Sequence, residues 1–380
     1  MSPRVTVLMA VHNGEQYVRQ SIQSILGQTF EDFELLVVDD ASTDGTAAIV
    51  ESFGDGRIRV LRNERNVGQV PSLNRGLRES RGPYVARIDA DDTSKPTRLQ
   101  RQVEVLDAQQ HVALVGTWVD AVDERGRRLG SLRQVLDDYV DFLYRTLVMQ
   151  VYISHPAAMY RRDEVLALGG YDEETAPSED KDLWRKLALE RREARIVAEP
   201  LVLYRVHAEQ LSQTQTERQL RLDAESQDRF LAQLAPGVAV TAVRQLLAGD
   251  PAAWKRDAHE TVRDLGAVLA GARTRLRLDD DEARRLAERI AARMLEVASA
   301  QPWKSGARLV AAEAIARLPE HRREAARRSL AAAFVRAPAR AALRRSAKML
   351  AAGGKALPLH ERARRIPLVR RLYSRAIGNR

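Results

Sequence analysis

The sequence predicts an α/β domain, with a mostly parallel Rossmann-like sheet flanked by helices, followed by an α-helical region. Three observations predict it. Between Arg4 and Asp89, β-rich apolar runs alternate with helix-periodic segments. Those runs are nearly continuous in apolar residues, as strands covered on both faces require. From about Thr216 the composition shifts to Ala, Arg and Leu, with helical spacing that persists to the end.

Each element follows from its local pattern. "RVTVLMAV" (Arg4–Val11) reads as the first strand. Val18, Ile22, Ile25 and Leu26 share a helical face that Gly27 stops. "FELLVVDD" (Phe33–Asp40) is the second strand. In the following "ASTDGTAAIVESF", Ser42 or Thr43 can cap a helix, with Asp44 near its first turn. Ile58–Asn63 is a third strand, Val70–Glu79 a helix and Tyr84–Asp89 a fourth strand. Leu99–Gln109 is helical, and "VALVGTWVDAVDERGRRLG" is a hairpin turning at Glu124-Arg125-Gly126. Pro177–Glu190 starts a helix with an acidic first turn, and Ala194–His207 is strand-like. Farther on, Leu286, Ile290, Met294 and Val297 recur at helical spacing. Segments ending at Pro319 and Pro338 hint at helical hairpins.

The chain of 380 residues suits two domains, placed at 1–215 and 216–380. Its 44% hydrophobic content supports a sizeable core. The absence of cysteine excludes a disulfide scaffold, a thiolate zinc site and thiol catalysis. The apolar run Val7–Val11 is too short for a signal peptide, and nothing approaches the ~18 apolar residues of a spanning helix. A cytoplasmic protein is the expectation, with peripheral attachment to the inner face of the membrane as an option. Charge is unevenly placed. Residues 301–380 hold 20 Lys and Arg against 4 Asp and Glu, while the whole chain carries only +9, so the first 300 residues are net acidic. A basic tail suits an anionic partner such as acidic lipid.

In a doubly wound sheet, ligands sit beyond the carboxyl ends of the strands. Here those ends carry Ala10-Val11-His12-Asn13, Asp39-Asp40 and Asp89-Ala90-Asp91-Asp92. Asp89, Asp91 and Asp92 alone also fit a solvated acidic turn. Their strand-end position favours a site for Mg2+ or Mn2+, hard cations that take oxygen ligands. Asp39 and Asp40 either cap the next helix or accept hydrogen bonds from a base or ribose. No G-x-G-x-x-G follows the first strand and no G-x-x-x-x-G-K-[ST] occurs anywhere, so neither usual phosphate-cradling turn is present. Glu179, Asp180 and Asp182 suit a helix N-terminus, or a general base within reach of an acceptor hydroxyl. His207 can close the same crevice as a metal ligand, while His155 before Pro156 suits packing or the acceptor wall.

Taken together, "VTVLMAVHNGEQYVRQSIQSILGQTFEDFELLVVDDASTDGT", "NVGQVPSLNRGLRESRGPYVARIDADD", "HPAAMYRR…LGGYDE", "SEDKDLWRKLA" and "LYRVHAEQLS" closely resemble, in order, the family 2 inverting glycosyltransferases of the GT-A fold. The resemblance covers about residues 3–215. It implies a nucleotide-sugar donor, with a UDP-sugar favoured, and a saccharide or lipid-linked acceptor. It implies that Asp40 contacts the base beside His12 and Asp39, and that Asp89 and Asn74 lie on the donor. His12 stands where many relatives have Tyr. Asp91, assisted by Asp92 and His207, would hold Mn2+ or Mg2+. Asp180 would be the catalytic base, with Glu179 orienting it or the acceptor.

Two other readings compete. A glycoside hydrolase with two carboxylates leaves the strand-end acids unexplained. A catalytically inactive binder with a basic tail for membrane or nucleic acid is the other. The tail has only Trp303, Phe334 and Tyr373 as aromatics, so stacking on single strands is not supported and nucleic acid is not the expected partner. Its last segment sets Ile366, Val369, Leu372, Tyr373 and Ile377 on one helical face, flanked by Arg370, Arg371 and Arg375, as for a helix lying on an anionic membrane.

Overall fold

A computed structural model describes residues 2–151, 153–208, 210, 214–250, 252–253, 256–300 and 306–327. The tail features at Trp303, Phe334, Pro338 and 366–377 lie outside the described residues. Two compact units emerge from the contacts. One comprises residues up to 139 together with 151–223, and the other 140–150 with the helices after 223. That division falls within the helix Thr216–Leu234, whose first residue is the one at which the composition shifts.

The first unit is organised by nine strands in one mixed sheet. β1 (Val5–Val11) pairs in parallel with β2 (Phe33–Asp39) and β4 (Tyr84–Arg87), and β2 with β3 (Ile58–Arg62). Every residue of β1, β2 and β4 is buried. This is why their sequences show no alternation: helices cover both faces of a parallel sheet. The other half of the sheet is antiparallel in part. β8 (Met159–Arg161) joins β4 to β6 (Val112–Val122) and runs against both. β6 pairs in parallel with β9 (Glu193–Arg205), whose far edge takes β5 (Thr93–Ser94). β7 (Arg128–Leu132) returns along β6 through the hairpin expected at Glu124–Gly126. Asp123 holds that turn by accepting from the Arg125 and Arg127 N–H groups.

Helices pack on this frame through single faces. α1 (Val18–Leu26) buries Val18, Ile22 and Ile25 against Val7, Met9, Leu35 and Val37. α2 (Thr46–Glu51) is shorter than its sequence suggests and starts after Gly45 without a side-chain cap. Neither Ser42 nor Thr43 caps it, because both are spent on the turn after β1, as described below. α3 (Gln69–Glu79) lies on the other face of the sheet. A Cβ at Gly76 would stand 2.2 Å from Leu8 Cδ1, so only glycine permits this approach. α4 (Arg98–Ala108) buries Leu99, Val103 and Leu106. α5 (Tyr139–Leu147) follows in the chain, its residues from 140 on belonging to the second unit; α6 (Arg162–Ala167) returns to the first, and α7 (Glu179–Leu189) opens with the three acids the sequence places there.

The second unit is helical. α8 (Thr216–Leu234) enters it, followed by α9 (Val240–Ala248), α10 (Ala258–Arg275), α11 (Asp280–Ala300) and α12 (Ala307–Ala316). The apolar stripe read from sequence, Leu286, Ile290, Met294 and Val297, is buried along α11. Asp257 caps α10 by accepting from the Glu260 N–H. α12 stops ahead of Pro319, which cannot continue a helical hydrogen-bond ladder. Among the described residues no helix is long and apolar enough to cross a membrane.

Candidate active site

The carboxyl ends of β1 and β4 open into a cavity of about 580 Å3. Its walls come from the turn after β1 (His12, Asn13), the acidic turn after β4 (Asp89, Asp91), the start of α7 (Glu179, Asp180, Lys181) and the end of β9 (Tyr204, His207). All of these residues belong to the first unit.

The turn after β1 is held by the turn after β2. Asn13 sits in the left-handed region, φ 52°, a conformation Asn tolerates better than most residues. Its N–H donates to Ser42 Oγ at 3.0 Å, and its carbonyl oxygen Oδ1 accepts from Thr43 N at 2.8 Å. Gly14 N donates to Thr46 Oγ1 and Glu15 N to Asp44. Ser42, Thr43 and Asp44 thus clamp the wall of the cavity instead of capping α2. His12 is exposed into the cavity, with Nδ1 2.8 Å from the Asp40 carbonyl oxygen. A carbonyl only accepts, so Nδ1 carries the ring proton.

Asp39 and Asp40 do not line the cavity. Asp40 is 3% exposed and accepts from Asn63 Nδ2, Val67 N and Gly68 N. Asp39 is equally buried and accepts from Ser42 N. The three bonds at Asp40 tie it to the loop that leads into α3. Asn74 does not line the cavity either. Its amide donates to the Tyr171 carbonyl at 2.8 Å and accepts from the Tyr171 N–H at 2.9 Å, so both ends of the side chain are used on backbone.

Asp89, Asp91 and Asp92 offer oxygens that lie within 4.8 Å of one another. Asp89 accepts from the wholly buried Arg87 and from Gln69 at 3.3 Å. Asp91 faces the cavity, 2.9 Å from His207 Nε2. Asp92 is fully buried; Oδ1 accepts from the Arg205 N–H at 2.7 Å and Oδ2 has no hydrogen-bond partner. A second buried guanidinium, Arg98, lies beneath the turn and donates to the Arg87 carbonyl. Two arginines therefore offset part of the cost of the acids. They do not offset all of it: burial, then the neighbouring Asp91 and Asp89, push the Asp92 carboxyl well above its usual range. Hard oxygen donors, one of them an orphaned buried oxygen, with an imidazole alongside, fit a hard divalent cation.

Glu179 and Asp180 open α7. Asp180 faces the cavity and accepts from the Lys181 N–H at 2.7 Å. Burial raises its pKa against the opposing pull of Lys181. Glu179 is 4% exposed, and burial with the adjacent Asp180 pushes it up to about 7. His155, read as packing or acceptor wall, is buried and lines the cavity. The sequence reading omitted Tyr17, Gln69, Lys181 and Tyr204, which also line the wall. It omitted Arg205 as well, whose guanidinium lies 4.7 Å from the Tyr17 ring centre.

The chain is similar to known glycosyltransferases. The family model described as glycosyl transferase family 2 matches residues 6–166. The putative glycosyltransferase EpsE of Bacillus subtilis is 36% identical over 193 residues, 48% of this chain and 66% of that protein. The O-antigen biosynthesis glycosyltransferase WbnJ of Escherichia coli is 31% identical over 211 residues, 53% of this chain and 80% of that protein. The uncharacterized glycosyltransferase MJ1057 of Methanocaldococcus jannaschii is 31% identical, covering 54% of this chain and 71% of that one. Among solved structures, S. aureus TarS 1-349 in complex with UDP-GlcNAc superposes with a TM-score of 0.51 at 18% identity, covering 87% of this chain and 89% of that one, a likeness of fold.

Proposed function

The chain belongs to glycosyl transferase family 2, and from that premise we propose that it moves a sugar, with inversion, from a nucleotide-sugar donor to a hydroxyl of a saccharide or lipid-linked acceptor. It is a glycosyltransferase of GT-A fold. The observation that carries the finer reading is the shared cavity: the acidic cluster Asp89–Asp91 and the carboxylate Asp180 face one space.

The reaction divides between those two walls. On the acceptor side, the hydroxyl gives its proton to Asp180 as its oxygen bonds to the anomeric carbon. The bond from that carbon to the diphosphate oxygen breaks, and the electron pair leaves with the nucleoside diphosphate. A single displacement inverts the anomeric centre. Mn2+ or Mg2+, when bound by Asp91 with Asp89, Asp92 and His207, supplies positive charge beside the diphosphate. His12 offers a ring face for the base, its Nε2 accepting from Asn13 Nδ2 at 3.2 Å. Glu179 orients Asp180 or the acceptor. The names of EpsE and WbnJ as glycosyltransferases, and of WbnJ in O-antigen biosynthesis, support a role in making surface polysaccharide or glycoconjugate. A UDP-sugar is the first donor to try.

The test is a panel of nucleotide sugars with Mn2+ or Mg2+, scored by thermal shift and by nucleoside diphosphate release. A donor that raises the melting temperature, together with release that depends on Asp180, supports the reading. Failure of every nucleotide sugar to bind sinks it.

A further inference from the structure

α7 carries three cations beside Asp180, and each is paired elsewhere. Lys181 Nζ lies 2.6 Å from Asp223 Oδ2, and the Arg185 guanidinium pairs with Oδ1 of the same carboxylate. Lys186 Nζ lies 3.0 Å from Asp182. Among the described residues no ion pair reaches Asp180. Its carboxylate accepts from the Lys181 backbone N–H and faces the cavity.

Asp223 stands on the second turn of α8, and this start of α8 belongs to the same unit as α7. Asp223 and Arg185 are each 5% exposed. One turn earlier, Gln219 donates to the Pro177 carbonyl at 2.9 Å. Residues four apart share a helix face, so one face of α8 grips α7 both ahead of its first turn and along its length. Burial opposes the Asp223 charge, yet Lys181 and then Arg185 hold its carboxyl below the usual carboxylate range.

We propose that Asp223 is a positioning residue for the acceptor-side base: it takes up Lys181 and Arg185 and so leaves the Asp180 carboxylate without an ion-pair partner, open to the acceptor hydroxyl. The inference rests on the reading of Asp180 as that base.

The argument is one of charge placement. A carboxylate paired with a cation is a weaker base, because the pair favours its ionised form. Lys181 follows Asp180 directly in the chain, and its flexible stem carries a compact charge. Asp223 holds that charge at its own carboxylate and, with Arg185, makes a compensated cluster. The groups around Asp180 are Glu179, Lys181 and Arg185 on α7 and Asp223 on α8. Asp89, Asp91, His12, His155 and His207 share the cavity with it. Burial raises Asp180, Lys181 and Arg185 lower it, and Asp223 raises it.

Two variants move Asp180 in opposite directions. Asp223→Asn keeps an acceptor oxygen but removes the charge, so two uncompensated cations favour the Asp180 carboxylate. Lys181→Met removes the ammonium and leaves Asp223 with Arg185 alone, which favours the protonated acid. Loss of packing does not produce opposite signs. The metal-free full chain, labelled with carboxyl carbon-13 aspartate, reports the titration without activity. A Glu179→Gln background keeps the neighbouring carboxyl from titrating, and Asp180→Asn assigns the signal. The expected result is an Asp180 midpoint that falls in Asp223→Asn and rises in Lys181→Met. In chains with Glu179 intact, the acid limb of kcat/KM moves to lower pH in the first and to higher pH in the second. A midpoint that stays put in either folded variant, or moves the same way in both, overturns the proposal, as does an acid limb that does not follow. Should Asp223→Asn not fold, Lys181→Met decides: a raised midpoint supports the proposal and an unmoved one overturns it. If no nucleotide sugar is turned over, the reading of function fails, while the carbon-13 titration still decides the link from Asp223 to Asp180.

Discussion

The backbone N–H of Arg205 donates to the buried Oδ1 of Asp92 at 2.7 Å, joining residues 113 apart in sequence. This bond ties the end of β9 to the acidic turn after β4. The Arg205 side chain ties it further: Nε donates to the Asp91 carbonyl, Nη1 to the Glu124 carbonyl and Nη2 to Gln20, each at 3.0 Å. Hydrogen bonds to a charged group contribute roughly 1.5–3 kcal/mol apiece. Arg205→Ala is predicted to lower stability by on the order of 3 kcal/mol and to weaken divalent binding by roughly 10–100-fold, as loss of groups that orient ligands does. Chemical denaturation and Mn2+ titration check this. An Arg205→Ala protein with parental Mn2+ affinity would show that the turn holds its shape alone.

Asp91 and Asp92 differ in place, and their variants are predicted to differ in kind. Asp91 faces the cavity beside His207, whereas Asp92 is fully buried. Asp91→Asn should leave metal-free melting unchanged and abolish the rise in melting temperature that Mn2+ produces. At 100 times Kd that rise corresponds to about 2.7 kcal/mol, and a chelator reverses it. Asp92→Asn keeps the acceptor for Arg205 and relieves the crowding of like charges. It should leave metal-free stability equal or higher while blunting the Mn2+ effect. Paired melting curves with Mn2+ and with chelator separate the two. Full Mn2+ stabilisation in Asp91→Asn removes that residue from the ligand set.

Asp180 has the access a base needs, at the mouth of α7 and facing the cavity. Asp180→Asn is close in shape, keeps an acceptor for the Lys181 N–H and cannot take a proton at neutral pH. The prediction is a loss of roughly 10²–10⁴ in kcat, with donor binding by calorimetry unchanged. Retained turnover in this variant moves the base elsewhere, with Glu179 the next carboxylate along.

How much of this could be read from sequence depends on what each residue contacts. β1 and β2 were legible because a strand buried on both faces must be apolar throughout. Strand ends then located the acidic turn, since a parallel sheet gathers its carboxyl ends in one place. β8 and β5 were not legible: three and two residues are too short to carry a period. Buried Arg87 and Arg98 broke the pattern from the other side, because a guanidinium inside the core signals itself only through partners such as Asp89, Gln102 and Ser94. The same limit hid the loop and backbone partners of Asp39, Asp40 and Asn74. Which acceptor meets which donor is settled by chain crossings, and these bonds span up to 97 residues. Ser42 and Thr43 had the chemistry of caps, but the turn after β1 offered them better-placed partners.

Asn74 now makes its own prediction. Both ends of its amide serve the Tyr171 backbone, and a Cβ at Gly170 would stand 2.6 Å from its Oδ1. Gly170 also has φ +76°, which disfavours any side chain. Asn74→Ala leaves a buried N–H and carbonyl unpaired and should cost about 2–4 kcal/mol. The folded fraction should keep the parental KM for donor, because the side chain is outside the cavity. A raised KM at unchanged stability would mean that Asn74 contacts the donor.

Glu179 gives stability a pH signature of known sign. Its folded pKa is raised from 4.5 to about 7, chiefly by burial and next by Asp180. Below the unfolded value the carboxyl is protonated in both states, and its contribution is fully present. As pH rises from 4.5 toward 7, the unfolded chain ionises first and gains relative to the native state, so stability is lost across that window and levels off above it. Each unit of separation is about 1.4 kcal/mol, so the total is on the order of 3 kcal/mol. Glu179→Gln is neutral at every pH and escapes the loss. In metal-free protein the difference in unfolding free energy between Glu179→Gln and the parent should therefore grow in favour of the variant from pH 4.5 to pH 7 and stay flat to pH 8. Urea titrations at those three values measure it. A difference that does not change with pH would mean that Glu179 ionises in the native state as it does in the unfolded chain.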